Sequence, residues 1–200
     1  MQRCGVDVKG AKLTVSFGRP ATLVAGLAAF LIVLLADQIS KWWILAVYHL
    51  PDRGSVAIMP GLNFTMVWNH AVTFGMLGGV GSKGPLLFCT VALIAVLALL
   101  WQTLRTPRMV VAIASAAIAG GAVGNVIDRI RFGAVVDFIH AHAFGWSWYV
   151  FNVADSAIVC GVIAWVIDSI WSDRRDAASR TRAETGATTV PGHGPAPHEH

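Results

Sequence analysis

The apolar positions of the chain fall into four long runs, and the segments between them collect the charge. The first run, Ala21 to Ala36 (ATLVAGLAAFLIVLLA), continues through Asp37 and Lys41 into WWILAVY. The others extend from Pro85 to Trp101, from Met109 to Ile127 and from Tyr149 to Trp171. A helix that crosses the hydrocarbon layer needs roughly 20 predominantly apolar residues, so each run predicts a spanning helix. Between the first two runs, Leu62, Phe64, Met66 and Trp68 alternate with Asn63, Thr65 and Val67. That period of two predicts a half-buried strand within residues 51–84. It leads into WNHAVTFGMLGGVGSKG, whose glycines predict turns. The expected fold is an all-α membrane protein of four transmembrane helices, with a small extracytoplasmic β element and an interfacial segment, FGWSWYVFN, before the fourth run.

Composition supports the membrane class: 56% of the 200 residues are hydrophobic and 13% charged, where soluble domains carry about 25% charge. Cytoplasmic flanks retain Lys and Arg during insertion. Arg3, Lys9, Lys12 and Arg19 precede the first run, Arg105 and Arg108 follow the second, and Arg174, Arg175, Arg180 and Arg182 follow the fourth. These flanks, and both termini, are therefore placed in the cytoplasm. The segment from Pro51 to Gly84 and the stretch around Asp137 to Ser147 then face outward. The net charge of +4 follows from this asymmetry and implies no nucleic-acid partner.

Three regions are expected: a cytoplasmic lead over 1–19, a membrane domain over 20–172, and an unstructured cytoplasmic tail over 173–200, whose Pro, Gly, Thr and His content cannot form a core. His193, His198 and His200 in that tail lack a scaffold that would make them a metal site. The first run is long, lacks a small-residue cleavage site and continues into an aromatic stretch, so it is read as a retained helix. Cys4, Cys89 and Cys160 are too scattered for a disulfide framework. Trp42, Trp43, Tyr48, Trp146, Trp148 and Tyr149 lie at outward boundaries, where aromatic residues mark membrane depth.

Ionisable residues within or beside apolar spans are costly and mark candidate sites. Here they collect at one end. Asp37 and Lys41 share one face at the outward end of the first helix, where they either fix packing or face substrate. Asn125, Asp128 and Arg129 end the third run, and Asp128 and Arg129 read chiefly as structural, an acid and a base in one turn that satisfy partners on neighbouring helices. Asn152 stands where an N-cap is expected, and Asp155 falls in the first turn beyond it. Asp137, in VVDFI, has apolar residues on both sides, where a carboxylate serving solubility alone is out of place.

No G-x-S-x-G or H-E-x-x-H pattern occurs. His140 and His142 near Asp137 offer only a weak zinc motif. Two carboxylates alone can hydrolyse a peptide bond, one as base toward water and one as acid toward the carbonyl. In a poorly hydrated site such a pair shares one proton and titrates together. The helix start favours Asp155 as the ionised member and Asp137 as the protonated one.

The blocks DQISK (Asp37 to Lys41), GGAVGNVIDR (Gly120 to Arg129), FGAVVDF (Phe132 to Phe138) and FNVADSAI (Phe151 to Ile158) together resemble the lipoprotein signal peptidase, or signal peptidase II, family. The resemblance runs from the first helix through the fourth. It implies a globomycin-sensitive aspartic endopeptidase of the bacterial inner membrane, monomeric and without a cofactor. Such an enzyme removes signal peptides from diacylglyceryl-modified prolipoproteins, cutting before the lipidated cysteine at the outer membrane face. Its partners are that substrate and membrane lipid. By motif, the resemblance assigns catalysis to Asp137 and Asp155, and supporting or substrate-binding roles to Asp37, Lys41, Asn69, Gly124, Asn125, Arg129, Asn152 and Ala154. One block departs: NHAVTFG carries Ala71 where the family has Gly, and Thr73 where Ala or Ser is common. A small proton-coupled transporter component is the alternative, since intramembrane carboxylates also build proton relays. A non-catalytic assembly factor is a third reading.

Overall fold

The computed structural model of this chain describes residues 3–8, 11–16, 18–70 and 84–187. Ala71 and Thr73 lie outside them. In chain order the elements are strands β1 (Arg3–Val8) and β2 (Ala11–Ser16), helix α1 (Pro20–Trp42) with a π-helical extension over Trp43–Val47, and the single turn α2 (Leu50–Arg53). Strands β3 (Ser55–Met59) and β4 (Leu62–Asn69) follow, then helices α3 (Gly84–Arg105) and α4 (Met109–Phe132), strands β5 (Val135–Ala143) and β6 (Trp146–Ser147), and helix α5 (Val153–Ala187).

Among the described residues, three helical stretches are long and apolar enough to cross a membrane: Pro20–Val47, Met109–Phe132 and Val153–Ser172. The described apolar part of α3 is Cys89–Arg105. Exposure along these helices is the reverse of that in a soluble protein. On α1, Ile32 is 65% exposed while Asp37 is wholly buried, as expected for a helix whose outer face meets lipid. Helix α4 is central, packing on α1 and α3. Its small residues allow that closeness. A Cβ at Gly121 would stand 2.7 Å from the Ala154 carbonyl oxygen at the start of α5.

Strands β3-β4-β5-β6 form one antiparallel sheet. The β element therefore extends well beyond residues 51–84. Strand β5 escapes the alternation test because Val135 to Phe138 are buried on both faces, leaving an unbroken apolar run around Asp137. The sheet rests on a core of Ile44, Leu50, Val136 and Phe138. Tyr48 and Phe64 meet edge-on at 5.9 Å, as do Phe64 and Phe138 at 6.0 Å. This core fixes the strand bearing Asp137 to the end of α1.

The segment FGWSWYVFN forms no helix. Phe144 and Gly145 both have positive φ and turn β5 into β6, and Phe151 then bridges Ile139. Helix α5 accordingly begins at Val153, later than the apolar run that starts at Tyr149.

The chain divides into two compact units, Met1–Trp165 and Val166–His200. In the second, helix continues to Ala187, so residues 173–187 depart from the expected unstructured tail. The sequence DRRDAASRTRAETGA is rich in Ala and Arg, strong helix formers that extend an existing helix without any core. His193, His198 and His200 lie outside the described residues.

Candidate active site

The polar layer is assembled from five elements, α1, α4, β4, β5 and α5. Asp37 and Lys41 lie one turn apart on α1, and Asn125 and Asp128 lie on α4. Asn69 ends β4, while Asp137 lies in β5, opposite Val67. Asn152 and Asp155 open α5.

Asn152 caps α5: its side-chain oxygen accepts the Asp155 N–H at 2.9 Å. In return, the Asp155 carboxylate accepts the Asn152 N–H at 3.3 Å. This reciprocal pair satisfies backbone donors that the helix start leaves free. Asn152 is also fully buried and points its amide inward, donating to Asp137 Oδ1 at 2.7 Å and to Asn125 Oδ1 at 3.1 Å. Asn125 donates to Asp155 Oδ1 at 2.8 Å. Asn69 donates to Asp137 Oδ2 at 2.8 Å. Each oxygen of Asp137 thus receives one amide, and two asparagines join Asp137 to Asp155.

Behind this pair, the Lys41 ammonium directs its three donors to Asp37 Oδ2 at 2.8 Å, Asp128 Oδ2 at 2.7 Å and Asn125 Oδ1 at 3.1 Å. Asp37 Oδ1 accepts the Ala154 N–H at 3.0 Å, tying α1 to α5. Gly124 makes room for this approach, because any Cβ there would collide with the Asp37 carboxylate. The structure therefore joins Asp37, Lys41, Asn69, Asn125, Asn152 and Ala154 to the two acids in one network, with Gly124 as the clearance.

Arg129 stands apart. It donates to the Asn125 carbonyl oxygen of its own helix at 3.2 Å and forms no ion pair among the described residues. His140 and His142 do not bond Asp137; their rings meet side chains on the neighbouring strands β4 and β6. There His140 contacts Ser147 at 2.6 Å and Thr65 at 3.4 Å, and His142 contacts Asn63 at 3.3 Å. Among the described residues no group of three or more His, Cys, Asp or Glu side chains is suited to hold a metal.

One bridging residue escaped the sequence reading. Gln38 donates toward Asp37, the Gly124 carbonyl oxygen and Asp128 at 3.2–3.3 Å. Asp128, expected to satisfy a partner on a neighbouring helix, pairs with Lys41 of α1. Its helical spacing to Asn125, i and i+3, is the available signal.

The two acids differ in setting. Asp137 is 1% exposed and Asp155 is half-buried. Burial, reinforced by the charge of Asp155, raises the Asp137 pKa to about 6 against the lowering effects of Asn69, Asn152 and Lys41. A carboxylic acid that retains its proton toward neutral pH beside a second carboxylate suits acid–base hydrolysis.

Residues 29–171 match the family described as signal peptidase (SPase) II. A lipoprotein signal peptidase from Methylobacterium sp. (strain 4-46) is 42% identical over 160 residues, covering 79% of this chain and 96% of the relative. One from Methylobacterium radiotolerans is 43% identical over 162 residues, covering 80% and 94%. Two solved bacterial membrane enzymes superpose with TM-scores of 0.64 and 0.63 at 28% and 29% identity, covering 80% and 77% of this chain and 93% and 96% of theirs. These likenesses give no support to a transporter.

Proposed function

This chain belongs to the signal peptidase II family and processes the signal peptides of prolipoproteins, and from that premise we propose that it cuts as an aspartic endopeptidase through Asp137 and Asp155. The observation that carries the reading is the pair of asparagines, Asn125 and Asn152, that link both carboxylates in one network. In it, Asp155 takes the proton of an attacking water while protonated Asp137 polarises the scissile carbonyl and then protonates the leaving amine. The two share one proton through the cycle, so one acid at a time acts as base. Lys41, Asp37, Asn69, Gly124 and Ala154 hold this geometry, and Arg129 borders it.

The substrate is a prolipoprotein with a diacylglyceryl-modified cysteine, cut before that cysteine. Its signal helix and acyl chains remain in lipid while the bond to be broken needs water. A polar layer at the outer end of the helices meets both demands. Helices α1, α3, α4 and α5 form four spans in the bacterial inner membrane, with both termini cytoplasmic, because Lys and Arg gather on that side. The enzyme acts as a monomer embedded in lipid and uses no cofactor.

The test uses purified Asp137→Asn and Asp155→Asn with a diacylglyceryl-modified prolipoprotein in detergent. Each variant is expected to lose about 10³-fold or more in kcat while retaining parental helicity. Normal cleavage by either overturns the assignment. An equal rate on the unlipidated precursor would remove the diacylglyceryl requirement.

A further inference from the structure

We propose that Asp128 is a positioning residue for Asp137, holding the strand that carries the acid through the backbone amide of Val136. The inference rests on Asp137 and Asp155 being the working acids. Asp128 is 1% exposed and its carboxylate is fully engaged. Oδ2 accepts the Val136 N–H at 3.1 Å and pairs with Lys41 at 2.7 Å, and Oδ1 accepts Gln38 at 3.3 Å.

Val136 immediately precedes Asp137, and in a strand alternate N–H groups point to the same side. On that side Phe138 donates to the Phe151 carbonyl oxygen at 3.1 Å. A carboxylate from α4 thus takes the place of a neighbouring strand at Val136, as the segment before α5 does at Phe138. Asp137 sits between the two anchored amides, so its carboxyl cannot shift along the strand without breaking one of them. A charged acceptor makes the stronger anchor.

Asp128 also reaches the second acid. By sharing Lys41 it sets how much of that cation is left for Asn125, which donates to Asp155. The charged and titratable groups around this point are Asp37 and Lys41 from α1, Arg129 from α4, Asp137 from β5 and Asp155 from α5. Lys41 alone among them pairs with Asp128. An uncharged residue at 128 therefore leaves Lys41 less neutralised, which favours the ionised form of Asp137.

Asp128→Ala and Asp128→Asn separate position from charge. Both are assayed as full-length protein in detergent, for kcat, KM, pH profile and amide hydrogen exchange of the peptide containing Val136, with Asp137→Asn as control. Asp128→Ala is expected to lose about 100-fold in kcat with little change in KM, and to exchange the Val136 amide faster. Asp128→Asn keeps an oxygen for Val136, so it should recover to within about tenfold of the parent, with the alkaline limb of its profile moved to lower pH. Parental kcat in Asp128→Ala overturns the proposal. So does equal loss in both variants with unmoved pH limbs, which marks a role in folding alone. An active Asp137→Asn control would overturn the dyad and this inference with it. An inactive control beside a normal Asp128→Ala would overturn this inference alone.

Discussion

Asn152 places its amide nitrogen 2.7 Å from Asp137 Oδ1 while its side-chain oxygen caps the helix that presents Asp155. One residue thus performs a structural and a site task, and the two can be separated. Serine caps a helix nearly as well as asparagine but has no amide to offer Asp137. Asn152→Ser is expected to stay within about 0.5 kcal/mol of the parent in stability. It should nevertheless lose about 100-fold in kcat. Its alkaline pH limb should move upward, since the Asn152 hydrogen bond holds the Asp137 pKa down. Asn152→Ala should lose a further ~1 kcal/mol with the cap. Thermal melts and pH–rate profiles of both variants check this.

Asp137 should leave a signature in stability against pH. Its folded pKa of about 6 lies above the ordinary carboxylate value of 3.8. Between those values the folded protein binds more protons than the unfolded chain, so stability falls as pH rises through that window and levels off above it. The full effect of the shift is about 3 kcal/mol. Asp137→Asn, which has no charge to bury, should flatten this slope and melt higher than the parent at pH 7–8, the gain shrinking toward pH 4. Parallel melting curves across that range would contradict the assignment.

Gly124 tests the packing beneath the site. Since a Cβ would collide with the Asp37 carboxylate, Gly124→Ala should displace Asp37 from Lys41 and from the Ala154 amide. The expected cost is about 1–3 kcal/mol, seen as a lower melting midpoint, with activity lost beyond the unfolded fraction. A variant of parental stability and rate would mean that the helices part without consequence.

The four apolar runs and their polar ends were legible because the lipid environment forces length and hydropathy into the sequence. Asp137 was legible only as an anomaly, a carboxylate among valines. The strand around it was hidden, because a run buried on both faces loses its alternation. Asp128 was legible as a structural residue, but its particular partners were not. Spacing along one helix places it beside Arg129, but its actual partners are a lysine on α1 and an amide on β5, contacts that only the tertiary fold creates. Gln38 carried no signal at all, since nothing in one sequence separates a bridging glutamine from a solvated one.

A chelator should leave cleavage unchanged. His140 and His142, whose rings lie 5.8 Å apart, are turned toward Ser147, Thr65 and Asn63 and bond neither catalytic acid. Activity that disappears with a chelator and returns with zinc would require a different arrangement of donors.

Among the described residues Lys41 is the sole cation between two buried carboxylates, and removing it should be worse than removing either acid. Lys41→Met leaves Asp37 and Asp128 without their shared counter-charge, a loss expected to cost about 3–5 kcal/mol. Asp128→Asn alone still leaves Lys41 paired with Asp37. If the three groups act as one unit, the double variant Lys41→Met with Asp128→Asn retains one uncompensated acid instead of two. Its melting midpoint should then lie above that of Lys41→Met, a coupling of about 1–3 kcal/mol in the cycle. Additive losses would mean that Asp128 and Lys41 are stabilised independently, and that the second carboxylate is held by its hydrogen bonds to Gln38 and Val136 alone.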